Sequence, residues 1–144
     1  MKFRILIITL LLSLNACTTY TYIDVDASTP TRGKIYHPGS DEHFQNAVNT
    51  YDLVVVDFYA DWCGPCKQMH KVFEDLATDK DCDDILFIKV NTDHQRSLSN
   101  RYNITSLPTI IFFVDGKPIR AVYGLHTKKQ MKELISQTFR MPKA

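Results

Sequence analysis

The chain has 144 residues and a formal net charge of +1, from 17 basic and 16 acidic side chains. Charged residues make up 23% of the chain and hydrophobic residues 44%, which are ordinary values for a globular protein. These values exclude a disordered chain, a collagen-like chain and a polytopic membrane protein. The charge balance gives no reason to expect a nucleic-acid partner. Four cysteines are too few for a disulfide-dense scaffold but enough for chemistry.

The first residues resemble an export signal. Lys2 and Arg4 form a short basic start, and the apolar run Ile5–Leu14 is about half as long as a membrane-spanning helix. The run ends in Leu14-Asn15-Ala16-Cys17, which resembles the lipobox of bacterial lipoproteins. The resemblance implies cleavage before Cys17 and lipidation of that cysteine, so residues 1–16 are predicted to be a signal peptide. The alternative is an ordinary signal peptide in which Cys17 has no role.

Residues 17–33 are predicted to be the lipidated cysteine and a flexible tether, because they are rich in threonine and have no long apolar pattern. We expect the rest of the chain, residues 34–144, to form one domain without an internal repeat. The protein is then exported, anchored by lipid to a bacterial membrane and facing the periplasm.

The domain alternates between strand and helix patterns. The predicted strands are Lys34–His37, Leu53–Ala60, Ile85–Asn91, Thr109–Val114 and Pro118–Tyr123. The predicted helices run from an N-cap at Ser40 to Asp52, over Pro65–Thr78, over Asp93–Tyr102, and from a capping box of Thr127 and Gln130 to Phe139. Asp115-Gly116 predicts a hairpin turn between the last two strands. The order β-α-β-α-β-α-β-β-α is typical of an α/β sheet that ends in an antiparallel hairpin.

Cys63 and Cys66 follow a buried strand and open a helix. A helix N-terminus carries unpaired N–H groups and a partial positive charge, which stabilise a thiolate and lower its pKa. Pro65 suits the first helical turn, where its missing N–H costs nothing. The two cysteines are about one helical turn apart, close enough for a disulfide.

The helical pattern also predicts the roles of the two cysteines. Cys66 lies three residues before Met69 and seven before Phe73, so it shares the inward face of the helix. Cys63 precedes the helix and is predicted to be the more exposed. We therefore expect Cys63 to be the nucleophile and Cys66 the thiol that resolves the mixed disulfide.

Asp57 and Lys89 are isolated charges on strands of interior type. A buried resolving thiol needs a base, because desolvation disfavours its charged form. Asp57 lies on the strand leading into the cysteines, and burial is expected to raise its pKa towards neutrality. We predict that Asp57 is the base and that Lys89 pairs with it and moderates the shift. The alternative is a purely structural buried pair.

These motifs together resemble the thioredoxin family over roughly residues 34–139. The resemblance rests on Val56-Asp57-Phe58, Trp62-Cys63-Gly64-Pro65-Cys66-Lys67, Lys89-Val90-Asn91, Leu107-Pro108-Thr109, Asp115-Gly116 and Gly124. It implies a thioredoxin fold, a central mixed β-sheet flanked by helices on both faces. It also implies that Pro108 is a cis-proline facing the disulfide, and that partner proteins dock on Trp62, Gly64, Pro65, Leu107, Pro108 and Gly124.

The chain departs from the family at Lys71, where members usually have a proline inside the active-site helix. The run Tyr59-Ala60-Asp61-Trp62-Cys63 is also similar to the C-terminal thioredoxin-like domain of bacterial transmembrane thiol reductases. The electron partner is therefore open, and we expect a membrane thiol donor.

The remaining cysteine and the histidines are predicted to have no part in catalysis. Cys82 lies in the acidic stretch of residues 79–84, where negative charge is expected to raise its pKa and slow its reactions. The alternatives are a regulatory thiol or an intermolecular disulfide. The five histidines show no metal spacing, and a cluster of Cys63, Cys66 and His70 lacks a fourth zinc ligand.

The predicted function is reduction of disulfides in proteins outside the cytoplasmic membrane, through a Cys63/Cys66 dithiol–disulfide cycle without a cofactor. Gly64-Pro65 resembles the reducing thioredoxins. The alternatives are a disulfide oxidase or isomerase of the same fold, and a non-catalytic docking or metal-carrier lipoprotein.

Overall fold

The computed structural model describes residues 30–139. Cys17, the predicted signal peptide and most of the predicted tether lie outside the described residues. The strands are β1 Ile35–Tyr36, β2 Leu53–Tyr59, β3 Ile85–Asn91, β4 Thr109–Val114 and β5 Lys117–Tyr123. The helices are α1 Asp41–Thr50, α2 Gly64–Ala77, α3 Arg96–Arg101 and α4 Lys128–Phe139, with a short 3₁₀ helix over Lys80–Cys82.

The strands form a mixed sheet in the order β1-β3-β2-β4-β5. Strands β1, β3 and β2 run parallel, while β4 is antiparallel to both β2 and β5. Strand β2 has a partner on each side, which explains why its sequence is almost continuously apolar. The parallel register sets Asp57 opposite Lys89 on the neighbouring strand.

Helices cover both faces of the sheet. On one face α1 and α3 pack through Phe44, Val48 and Leu98. On the other face α2 and α4 contribute Phe73 and Met131, with every one of these five side chains fully buried. The predicted α/β fold, a mixed sheet flanked by helices on both faces, is confirmed.

Two predicted helices are shorter than expected. Helix α1 ends at Thr50 and not at Asp52, because the backbone of Tyr51 is already extended, with φ −105° and ψ 130°. Helix α3 begins at Arg96 and not at Asp93, where the backbone N–H donates a hydrogen bond of 2.9 Å to a side-chain oxygen at the end of β3. The chain therefore makes a polar turn before this helix begins.

The predicted helix caps are confirmed. The Ser40 hydroxyl accepts a hydrogen bond of 3.1 Å from the backbone N–H of His43 at the start of α1. Before α4, the backbone N–H of Thr127 donates to Gln130 Oε1 over 2.8 Å, and the backbone N–H of Gln130 donates back to the Thr127 hydroxyl. These bonds satisfy N–H groups that have no partner within a helix.

The predicted β4–β5 turn is also confirmed. Asp115 and Gly116 have φ angles of 48° and 76°, as expected of a tight hairpin turn. The positive φ of Gly116 favours glycine, and a larger residue there would also have to displace the side chain of Asn49.

The predicted tether ends against the folded part of the chain. The Tyr51 hydroxyl donates a hydrogen bond of 2.5 Å to the carbonyl of Pro30. Between residues 30 and 139, no helix combines the length and the hydropathy needed to cross a bilayer.

Candidate active site

Cys63 and Cys66 form a disulfide with an S–S distance of 2.12 Å and a Cα–Cα distance of 5.2 Å. Cys63 is the N-cap of α2, and its Sγ accepts a hydrogen bond of 3.2 Å from the backbone N–H of Cys66. Pro65 lies in the first helical turn, as predicted. Helix α2 therefore directs an N–H donor at the sulfur that the sequence predicts to be the nucleophile.

Both cysteines are buried, which corrects the expectation of an exposed nucleophile. Cys63 is 6% exposed and Cys66 is 2% exposed. Cys63 is thus the more exposed of the two, as predicted, but the difference is small. Cys63 is shielded because Ala60, Tyr59 and Leu107 pack around the disulfide. A substrate disulfide must therefore reach Cys63 through the small part of this residue that is exposed.

The predicted ion pair beneath the motif is confirmed. Lys89 Nζ lies 2.7 Å from Asp57 Oδ2, and both side chains are almost fully buried. The ammonium group also lies 4.2 Å from the centre of the Tyr59 ring, in a cation–π contact. Lys89 is thus held between a carboxylate and an aromatic face.

Burial raises the pKa of Asp57, and the nearby Lys89 opposes the shift through its charge and its hydrogen bond. A raised pKa agrees with the predicted role of Asp57 as the base. Asp57 Oδ1 has no hydrogen-bond partner within the described part of the chain. That oxygen is therefore free to hold a proton.

The Leu107–Pro108 peptide bond is cis, as the family resemblance implied. Leu107 packs partly exposed against the cluster of Ala60, Cys63 and Cys66. Pro108 itself is buried, and its carbonyl accepts a hydrogen bond of 2.8 Å from the backbone N–H of Gly124. The structure thus brings Leu107 to the disulfide and Gly124 to Pro108, while their contacts with a partner stay a prediction.

Polar residues at the ends of β2 and β3 support the loop that carries Trp62. The Trp62 ring is 73% exposed, and its N–H donates a hydrogen bond of 3.0 Å to Asp93 Oδ2. The side-chain amide of Asn91 donates to Asp61 over 3.2 Å. Sequence reasoning missed Asp61, Asn91 and Asp93, although polar residues following adjacent parallel strands are a signal that could have found them.

Two exposed apolar side chains beside Gly124 were also missed. Tyr123 is 64% exposed and Leu125 is 43% exposed. Together with Trp62, they are three of the four large apolar side chains most exposed within the described residues. Their position next to a predicted docking glycine is the sequence signal that could have identified them.

Cys82 is a free thiol buried in the core cluster beneath α2 and α4. Burial is the main cause that raises its pKa, and the negative charge of Asp79 adds to the shift. The predicted rise in the pKa of Cys82 is in the right direction, but it was assigned to the lesser cause, because the acidic neighbours of this residue do not reveal its burial.

The histidines make local contacts. His70 Nε2 lies 3.3 Å from Glu74 Oε1 one turn along α2, and His126 Nδ1 lies 2.9 Å from the carbonyl of Gly124. Residues 30–139 contain no group of three or more His, Cys, Asp or Glu side chains arranged to hold a metal ion.

A disulfide at a helix N-terminus, preceded in the chain by a strand with a buried carboxylate, is the arrangement of a thiol–disulfide oxidoreductase. The sequence profile of the family described as Thioredoxin matches residues 36–137, and the chain belongs to the thioredoxin family. A thioredoxin of Mycoplasmoides gallisepticum is 47% identical over 88 residues, which cover 61% of this chain and 86% of that protein. A thioredoxin of Chlamydia caviae is 40% identical over 98 residues, covering 68% and 93%.

The fold is also similar to solved structures. A mutant thioredoxin from Halobacterium salinarum superposes with a TM-score of 0.71 at 29% identity, covering 80% of this chain and 99% of that one. These comparisons and the Cys63–Cys66 pair establish a thioredoxin-like oxidoreductase.

The raised pKa of Asp57 makes the stability of the disulfide-bonded protein depend on pH. Below the ordinary aspartate value of 3.8, Asp57 is protonated in the folded and the unfolded chain alike. As the pH rises towards the higher folded value, the unfolded chain loses this proton first, and the folded state loses stability. Urea unfolding should show that the unfolding free energy of the wild type falls relative to that of Asp57→Asn as the pH rises through this range.

The exposed Asp83 offers a matched control. Asp83→Asn should leave the pH dependence of the unfolding free energy close to that of the wild type. If the wild type instead gained stability relative to Asp57→Asn as the pH rises, the effect of Lys89 on the pKa of Asp57 would outweigh that of burial. The pKa of Asp57 would then be lowered and not raised.

Proposed function

We propose that this protein reduces disulfide bonds in protein substrates outside the cytoplasmic membrane. The observation that carries the proposal is the Cys63–Cys66 disulfide at the start of α2, with an N–H group directed at Cys63 Sγ. Such a donor stabilises a thiolate on Cys63 once the disulfide is reduced. Membership of the thioredoxin family supports disulfide-containing proteins as the substrates.

The reaction takes two thiol–disulfide exchanges. The Cys63 thiolate attacks one sulfur of the substrate disulfide; that bond breaks, and the electron pair leaves on the other substrate sulfur. Cys66 then attacks Cys63 Sγ, which releases the second substrate sulfur and closes the Cys63–Cys66 disulfide. Two electrons have passed to the substrate, and a membrane dithiol donor must return two to the protein.

Asp57 is the base of the second exchange and takes the proton of the buried Cys66. A thiol that is 2% exposed resists ionisation, because the protein interior disfavours its charged form. Asp57 takes the proton through its free oxygen, and its raised pKa brings it closer to that of a thiol. Lys89 keeps the carboxylate in place between proton transfers.

The substrate docks on the apolar surface beside the disulfide. Trp62, Gly64 and Pro65, which flank Cys63 in the chain, are exposed, as are Tyr123 and Leu125 on either side of Gly124. Leu107 packs on the cluster that contains the disulfide. Exposed aromatic and apolar side chains near a buried disulfide suit a protein segment more than a small polar molecule.

Substituting the cysteines one at a time tests this cycle. With a dithiol donor present, the wild type should reduce the disulfides of insulin, and Cys63→Ser should lower the rate to the uncatalysed background. Cys66→Ser should accumulate a covalent mixed disulfide through Cys63, detectable as a mass increase that a thiol reagent removes. Cys82→Ala is the matched control and should keep the wild-type rate.

Two results would contradict the proposal. Insulin reduction by Cys63→Ser would remove the proposed nucleophile. A wild type that oxidises a reduced substrate faster than it reduces insulin would favour the oxidase alternative.

The lipid anchor extends the proposal to location. The Leu14-Asn15-Ala16-Cys17 motif supports cleavage before Cys17 and acylation of its thiol. One acyl chain gives only weak membrane binding, so stable anchoring needs more than one. The tether would then hold the oxidoreductase at the membrane surface, within reach of a membrane thiol donor.

Mass spectrometry of the mature protein, expressed from the full chain in bacteria, tests this anchor. The N-terminal residue should be Cys17 carrying acyl groups, and the protein should fractionate with membranes. Cys17→Ser should lose the acyl mass and leave the membrane fraction. An unmodified Cys17, or a mature chain that begins elsewhere, would contradict lipid anchoring.

A further inference from the structure

A cavity of about 470 Å³ is lined by residues of α2, by residues from the ends of β2 and β3, and by His37. Its wall includes Cys66, the proposed proton donor, and Lys89, the partner of Asp57. His37 and His70 line it as well. None of the residues assigned to the docking surface (Trp62, Gly64, Pro65, Leu107 and Gly124) lines this cavity. Substrate docking therefore does not explain why two histidines line the cavity.

Lys89 connects the cavity to the buried base. Its Nζ atom is 2.7 Å from Asp57 Oδ2, while the same side chain lines the cavity. Asp57 is fully buried and does not line the cavity. A proton on Asp57 therefore has no direct contact with solvent, and Lys89 separates it from the cavity.

The two histidines differ in exposure. His37, just after β1, is partly buried, whereas the His70 side chain on α2 is 46% exposed and contacts Glu74. Burial lowers the pKa of His37, and the charges of Lys89 and His70 lower it further. His37 is therefore mostly neutral at pH 7 and able to accept a proton.

Other charged or titratable groups face the same cavity from the surrounding elements. Helix α2 contributes Lys67 beside His70, strand β3 contributes Lys89, and β2 and the following turn contribute Tyr59 and Asp61. Of these, only the histidines ordinarily change charge between pH 5 and 8.

We propose that His37 and His70 carry protons between the buried Asp57–Cys66 pair and solvent during the exchange cycle. This inference rests on the function proposed above, in which Asp57 takes the proton of Cys66. The histidines act through Asp57 and Cys66 and touch no substrate.

Each proton in the resolving step then has a donor and an acceptor. Cys66 gives its proton to Asp57, its sulfur bonds to Cys63 Sγ, and the substrate leaves as a thiolate. Rotation of the Asp57 carboxyl group then turns the proton on Oδ1 towards Lys89, which accepts it as it releases one of its own protons to neutral His37. His70 or water at the open side takes the proton from His37, and Asp57 is again a carboxylate. No electrons pass through the histidines.

A single-turnover experiment tests the proposal on the reduced protein. An aromatic disulfide with a coloured thiolate product gives two phases of release, the first from attack by Cys63 and the second from resolution by Cys66. In the double variant His37→Gln, His70→Gln, the second phase should slow about 10-fold at pH 7, while the rate of the first phase is unchanged. An effect of about 10-fold is smaller than the rate enhancement that a general acid or base usually contributes. His43→Gln, an exposed histidine on α1, is the matched control.

Two further readouts separate proton transfer from a structural effect. The second phase of the wild type should depend on pH across the histidine range, and the double variant should lose this dependence. Added imidazole should accelerate the second phase of His37→Ala and leave His43→Ala unchanged. The single variant His70→Gln, on the surface of α2, provides a change that the fold tolerates.

An unchanged second phase in the double variant, equal slowing of both phases, or no response of His37→Ala to imidazole would overturn the histidine route. A wild type that releases only one coloured thiolate would instead contradict the proposed two-cysteine cycle. The two failures are therefore distinguishable before any histidine variant is compared.

Discussion

The buried contact between Lys89 and Asp57 is the constraint on which the site depends. Two charges removed from water are stable only when each satisfies the other, and removing one partner typically costs about 3–5 kcal/mol. The contact of 2.7 Å meets this requirement. It is possible because the parallel β2–β3 register places the two residues opposite each other in the middle of the sheet.

The rest of the active site is built outward from that pair. Strand β2 continues from Asp57 to Tyr59, whose ring covers the ammonium group of Lys89. The chain then turns and begins α2 at the disulfide, so that one continuous segment carries the base and both cysteines. Leu107, just before β4, packs against the same cluster and is followed by a cis peptide bond to Pro108. The mixed sheet thus fixes a buried acid–base pair, a redox pair and an apolar rim relative to one another.

Much of this arrangement could be predicted from local patterns. The buried strands β3 and β4 were predicted with their observed limits, because their apolar runs are bounded by polar turns. Asp57 and Lys89 could be paired because isolated charges on interior strands need partners. The placement of Cys66 on the inward face of α2 followed from its spacing to Met69.

Other features depend on tertiary contacts that leave no local pattern. The burial of Cys63 arises because Leu107, more than forty residues away along the chain, packs over the disulfide. The polar support of Trp62 joins the ends of two strands, and the cavity joins His37 from the start of the domain to His70 on α2. The early end of α1 likewise reflects the backbone entering β2, which a helical pattern alone does not predict.

The central claim is that the fold holds Asp57 as a buried carboxyl with a raised pKa, ready to take a proton from Cys66. Carbon-detected NMR of the Asp57 side-chain carboxyl across pH, with Asp57→Asn to assign the signal, measures this most directly. The account predicts a titration midpoint clearly above that of an ordinary aspartate. A midpoint at or below the ordinary value would mean that Lys89 keeps Asp57 ionised and that the carboxylate is a structural partner only.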